Sequence, residues 1–154
     1  METDNLFPED MENELDVDYD DSETVIGYKK SPQFDMERGE FLMNGSGQIL
    51  SSDEVNAYVQ WCEIIIATDR YKHDAYTDDI GIDYEAIFAA YDKEEAETII
   101  ESEISEALMC DPYGRTLYVQ NLEFEWIGPD ELNITVEIMA LDNELVTVNT
   151  TIKR

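Results

Sequence analysis

The chain has 154 residues, with 38 acids against nine Lys and Arg and a single His, for a formal net charge of −29 at pH 7. That charge excludes a nucleic-acid binder acting through its own field, since phosphate contacts need a basic surface, and it excludes docking on an anionic membrane. The length suits one domain with a real core, and no apolar run approaches the length of a membrane span.

Eleven of the acids fall between Glu2 and Glu23, a stretch without Lys or Arg. Residues 1–27 therefore read as an acidic flexible tail, and residues 28–154 as a single folded domain. Leu6, Phe7, Met11, Leu15, Val17 and Tyr19 interrupt the acids. Such alternation serves either as a docking arm for a basic partner or simply as a solubilising tail. The N-terminus has no basic start followed by an apolar run, so synthesis in the host cytoplasm is expected.

In the folded part, Gln33–Met36 and Glu40–Met43 are short strand candidates around a Glu37-Arg38-Gly39 turn. Asn44-Gly45-Ser46-Gly47 turns the chain again. Ser51 and Glu54 have capping-box spacing, which predicts a helix start at Ser51. Its apolar face is Val55, Tyr58, Val59, Cys62, Ile65 and Ile66, widened by Trp61 and Ile64. Lys72–Tyr76 reads as a short extended segment. Gly81 sits in a turn, and Asp83 caps a short helix through Ile87, Phe88 and Tyr91.

Asp92 and Glu95 form the next capping box, opening a long acidic helix with the stripe Ala96, Ile99, Ile100, Ile104, Ala107 and Leu108. Pro112 lacks an amide hydrogen and pushes Asp111 out of helical geometry, so the helix stops there. Alternation then predicts strands over Tyr118–Ile127, Leu132–Ala140 and Leu145–Ile152, with turns at Gly128-Pro129-Asp130 and Leu141-Asp142-Asn143. Leu132, Ile134, Val136 and Ile138 share one face. The expected fold is α+β: a C-terminal antiparallel meander packed with two to three helices, preceded by a short N-terminal hairpin.

Little of this argues for catalysis. Two carboxylates flanking a glycosidic bond would make a glycosidase, but with 38 acids no pair is singled out. Asp16, Asp18 and Asp20 begin like a calcium loop, yet Asp21 and Gly27 occupy the positions that need Gly and Glu. One histidine gives no raw material for a zinc site or a triad, and no glycine-rich phosphate loop is present. Neither a cofactor nor a metal is expected. Cys62 and Cys110, at apolar helix positions, read as two buried thiols. The scarce bases Arg70, Lys72 and Arg115 either snorkel at the surface or pair with Asp69, Asp74, Asp78 or Asp111 to fix loops that face a partner.

The order and spacing of several segments carry a resemblance. They are Phe34-Asp35-Met36-Glu37-Arg38-Gly39-Glu40-Phe41, Ala57-Tyr58-Val59-Gln60-Trp61, Thr68-Asp69-Arg70-Tyr71, Tyr76, Gly81, and Glu106-Ala107-Leu108 before Asp111-Pro112. From about Tyr28 to Ile152 the chain resembles the small baseplate wedge subunits of contractile tails, with the XkdS-type proteins of PBSX-like prophages and tailocins as the nearest branch. The superfamily historically carries a lysozyme-like label.

The resemblance implies a non-enzymatic part of a phage or tailocin particle. It would contact larger wedge proteins and the tail sheath protein, seat the first sheath ring, and lie near central hub or tube-initiator proteins. The wider family has a Glu-Pro-Arg signature at the helix-to-strand junction. Here Asp111, Pro112 and Tyr113 occupy it, and Arg115 is the candidate to supply the missing charge.

The expected partner-binding residues are Asp111, Pro112, Tyr113, Arg115, Arg70 and Lys72, with Glu97, Glu101 and Glu103 steering basic partner surfaces. A sheath or wedge strand added to an open edge of the meander is the expected mode of contact. The competing expectations are a peptidoglycan-cleaving enzyme and an acidic binder of a basic protein.

Overall fold

In a computed structural model of the chain, residues 26–153 are described, so the expected acidic tail lies, except for Ile26 and Gly27, outside the described residues. Four two-residue strands come first: β1 (Ser31–Pro32), β2 (Phe34–Asp35), β3 (Glu40–Phe41) and β4 (Ser51–Ser52). β2 and β3 form the expected hairpin, and β1 pairs with β4. Asp35 Oδ1 accepts from the amides of Glu37 and Arg38, and Gly39 completes the turn at φ +68°. Gln60 ties this segment to the first helix, donating to the Pro32 carbonyl and accepting from the Phe34 amide.

Helix α1 (Glu54–Ala67) begins two residues later than the Ser51 capping box predicts, because Asp53 is the cap and accepts from the Asn56 amide at 2.9 Å. Ser51 is occupied in β4, opposite Pro32. Past α1 the predicted extended segment Lys72–Tyr76 is a run of turns instead. Tyr71 sits at φ +68° and reverses the chain there, and the Tyr76 amide donates to the His73 carbonyl. The loop closes where Ile82 and Thr68 share a backbone bond, with Gly81 at φ +90°. A Cβ on Gly81 would lie 2.5 Å from the Thr68 carbonyl oxygen, so only glycine fits.

Helix α2 (Tyr84–Ala89) is capped by Asp83 as expected, and α3 (Lys93–Met109) by Asp92, whose carboxylate accepts from the Glu95 amide. Glu95 reaches back to the Tyr91 amide at 2.6 Å, one residue before the position a capping box prescribes. The sheet that follows runs β5 (Thr116–Trp126), β6 (Glu131–Ala140) and β7 (Leu145–Lys153), antiparallel in that order. Asp142 and Asn143, both at positive φ, make the tight β6–β7 turn.

Leu132, Ile134, Val136 and Ile138 are buried on one face of β6, as their alternation predicts. They join Val146, Val148 and Ile152 of β7, Tyr58, Cys62 and Ile66 of α1, and Ile100, Ile104 and Leu108 of α3 in one core. Burial of this apolar layer is the main favourable term in the fold, at about 1.5–3 kcal/mol for each fully buried large side chain. The other face of the sheet is polar and faces away from the helices. Thr135 donates to Asn149, and Thr151 to Asn133, across β6 and β7. Cys62 is buried, but Cys110 is exposed, because it caps the C-terminus of α3 beyond the last buried turn.

Candidate functional site

The α3–β5 corner follows from three residues at which the helix ends and the chain turns. Cys110 closes α3, Pro112 offers no amide hydrogen, and Gly114 turns at φ +58° while its amide donates to the Asp111 carbonyl. The reversal brings Arg115 back onto Asp111. Arg115 Nε donates to Asp111 Oδ2 at 2.9 Å, Nη2 to Oδ1 at 2.7 Å, and the Arg115 amide to Oδ2 at 2.6 Å. Their side chains are 4% and 1% exposed.

The guanidinium carbon lies 4.9 Å from the Tyr58 ring centre, 5.2 Å from Trp61 and 5.1 Å from Tyr113. Arg115 therefore points inward, held by a bidentate carboxylate and three aromatic faces. It pins the first helix to the corner, with its guanidinium committed to contacts within the chain. Pro112 and Tyr113 remain exposed at the rim. Nearby, the Tyr58 hydroxyl shares a 2.7 Å hydrogen bond with Thr116. Burial pushes the Tyr58 phenol well above its ordinary range and the Cys62 thiol up to about 12.

Arg70 and Glu103 meet at a second buried point. Arg70 Nε donates to the Gly81 carbonyl at 3.0 Å, and Nη1 lies 3.5 Å from both Glu103 and Glu106. Glu103 also accepts from the Asp83 amide at 2.8 Å, which fixes the start of α2. Arg70 Nη2 is buried with no hydrogen-bond partner among the described residues, so this pair is less completely satisfied than the corner. Lys72 stands apart at the surface, 2.7 Å from Asp69.

The three acids expected to steer partners do different things. Glu97 accepts from the Trp126 indole at 2.7 Å, linking α3 to β5, and Glu103 is committed to Arg70 and Asp83. Glu101 is exposed. The site residues thus do not converge: one group forms the Asp111–Arg115 corner, another the Arg70–Glu103 contact, and Glu97 sits about 9 Å further along α3 from Glu103.

The sheet edges differ in a way the site residues do not reveal. β5 carries two register breaks, at Thr116/Tyr118 and Val119/Asn121, and Glu123 and Glu125 stand on its outer face. β7 pairs with β6 in unbroken register, and its only charged residue is Lys153 at its end. Bulges and charges are what guard a sheet edge against added strands, and β7 has neither guard along its body. Among the described residues no strand lies on its outer side.

Tyr58 and Trp61 are partners of Arg115 that the sequence does not single out. Their i, i+3 spacing on one helix face was visible, but not that the corner would fold back over them. Nor does the sequence assign the open edge to β7, which only the strand order supplies.

A family model described as contractile injection system sheath initiator matches residues 30–143 of this chain. The chain belongs to that family. The matched span runs from β1 through the β6–β7 turn and so takes in both the corner and the Arg70–Glu103 contact. No curated protein matches the chain. Membership of the sheath initiator family gives it a structural role in a contractile injection system, working with sheath and baseplate components. Among the described residues no group of three or more His, Cys, Asp or Glu is placed to hold a metal ion, and no helix is long and apolar enough to cross a membrane.

Proposed function

We propose that the chain is a structural baseplate subunit of a phage tail or R-type tailocin, of the XkdS-type branch, that joins wedge proteins and seats the first sheath ring. In this reading it works in the assembled particle and performs no catalysis. The single observation that supports it best is the β7 edge, nine residues in unbroken register and uncharged until Lys153 in a chain of net charge −29. A strand from the sheath protein would gain main-chain hydrogen bonds along that edge, and the acidic surface would speed its approach. The rigid corner keeps α1 fixed over β7 while the strand is added.

The lysozyme-like alternative gains nothing from the geometry. The most buried carboxylate, Asp111, has both oxygens engaged by Arg115, which leaves it no acid or base role.

The test is to place lysines on the outer face of each edge strand. Thr147→Lys with Asn149→Lys on β7 is expected to abolish sheath assembly on baseplates while leaving the chain folded by circular dichroism. Asn121→Lys on β5 is expected to have little effect. Normal sheath formation on the β7 variant would overturn the proposal.

A further inference from the structure

A cleft opens at the end of the meander, where Trp126, Leu132 and Ile152 stand in one cross-strand row. It has a volume of ≈ 180 Å³, and Ile87, Phe88 and Ile100 supply its other apolar walls. Trp126 is fixed in place, with its indole donating to Glu97 and the Lys93 ammonium 4.4 Å from its ring centre. Lys93 itself lines the cleft, and its charge is already placed over the aromatic face.

The rim is acidic. Asp92 and Asp130 border the cleft, and Asp92 also borders an adjoining notch of ≈ 350 Å³ lined by Glu94, Glu95 and Thr98. Asp92 uses one oxygen on the Glu95 amide in the first turn of α3, and Glu95 uses one on the Tyr91 amide of the α2–α3 connector. Their second oxygens, and the whole of Glu94, remain for a cation. Tyr91, beside the notch in sequence, is 94% exposed, and Pro129 and Asp130, both exposed, line the side of the cleft that the β5–β6 turn supplies. A rigid tryptophan in an apolar pocket with a polar rim is the usual anatomy of an interface hot spot.

We infer that this cleft is a docking pocket for an apolar side chain of a partner protein segment that carries Lys or Arg within about four residues of that anchor. The apolar walls take the anchor, and the Asp92–Glu94–Glu95 notch takes the base. The charge at the rim selects against an acidic segment, and against a second copy of this chain with its net charge of −29. The inference rests on the reading that the chain works within an assembly, but it concerns a surface separate from the outer edge of β7.

A photo-crosslinking amino acid placed at Pro129, and in a second variant at Thr147 of β7 as reference, tests it in assembled particles, with the joined peptides sequenced by mass spectrometry. The probe at Pro129 is expected to join a peptide holding Leu, Ile, Val, Met or Phe with Lys or Arg within about four residues. Absence of an adduct at Pro129 while Thr147 gives one would overturn the inference and leave the β7 proposal standing. An acidic peptide, or a peptide of this chain itself, would also overturn it. Absence of adducts at both positions would overturn both readings.

In parallel, Asp130→Lys combined with Pro129→Ser is expected to leave thermal unfolding nearly unchanged and to reduce incorporation into particles about tenfold. Normal incorporation of that variant contradicts the pocket.

Discussion

The Asp111–Arg115 corner and the β7 edge treat polar groups in opposite ways. The corner buries a full ion pair and satisfies it with two side-chain hydrogen bonds, a backbone amide and three aromatic rings. The edge leaves a row of backbone polar groups with no neighbouring strand among the described residues and no charge before Lys153 to guard it. The residues that look most like a signature therefore hold the molecule together. The surface suited to assembly is marked by charges that are missing.

The most disruptive way to probe the contrast is to break the corner. Arg115→Ala leaves Asp111 buried without its partner and is expected to cost about 3–5 kcal/mol in denaturant unfolding. Arg115→Lys should recover only part of that loss, because an ammonium cannot make the two-pronged contact or stack between the rings. A loss below about 1 kcal/mol for Arg115→Ala would mean that the corner is not the structural pin described here.

A smaller effect is expected one contact away on α3. Glu103→Lys removes the acceptor of the Asp83 amide and places a second cation against Arg70, for an expected loss of about 2–3 kcal/mol. Glu101→Lys, at an exposed position on the same helix, should stay within about 0.5 kcal/mol. If the two acids behaved alike, the division of α3 into structural and surface carboxylates would fail.

Alkaline titration sharpens the comparison further. Burial raises the Cys62 thiol from 9.0 to about 12 and the Tyr84 phenol from 10.0 to about 12, so both groups hold their protons longer in the folded chain than in the unfolded one. Their contribution to stability is fully present below pH 9 and is lost progressively between about pH 9 and 12. The melting temperature should fall through that window, and Cys62→Ala should flatten its first part. An identical slope in the variant would remove Cys62 from the account.

Much of the architecture was legible in the sequence because its period is regular. The alternation of Leu132, Ile134, Val136 and Ile138, and the stripe from Ala96 to Leu108, each admit one buried face. The expectations that failed turn on single local contacts. Asp53 outcompeted Ser51 as a cap because Ser51 was needed in a strand pair, and Tyr71 adopted a left-handed backbone that no propensity anticipates.

The site was less legible still. Asp111 and Arg115 were identified, but two of the three aromatic faces that hold Arg115 inward come from a helix about fifty residues earlier. The roles of Glu97 and Glu103 depended in the same way on Trp126 and Arg70, contacts that no local pattern encodes.

The central claim is that the β7 edge, and not the corner, meets the sheath. Hydrogen exchange of the 145–153 segment, compared between the free chain and assembled particles, tests it most directly. Strong new protection is expected in that segment on assembly, with residues 111–115 already protected in the free chain and little changed. Unchanged exchange in β7, with new protection confined to the corner, would contradict it.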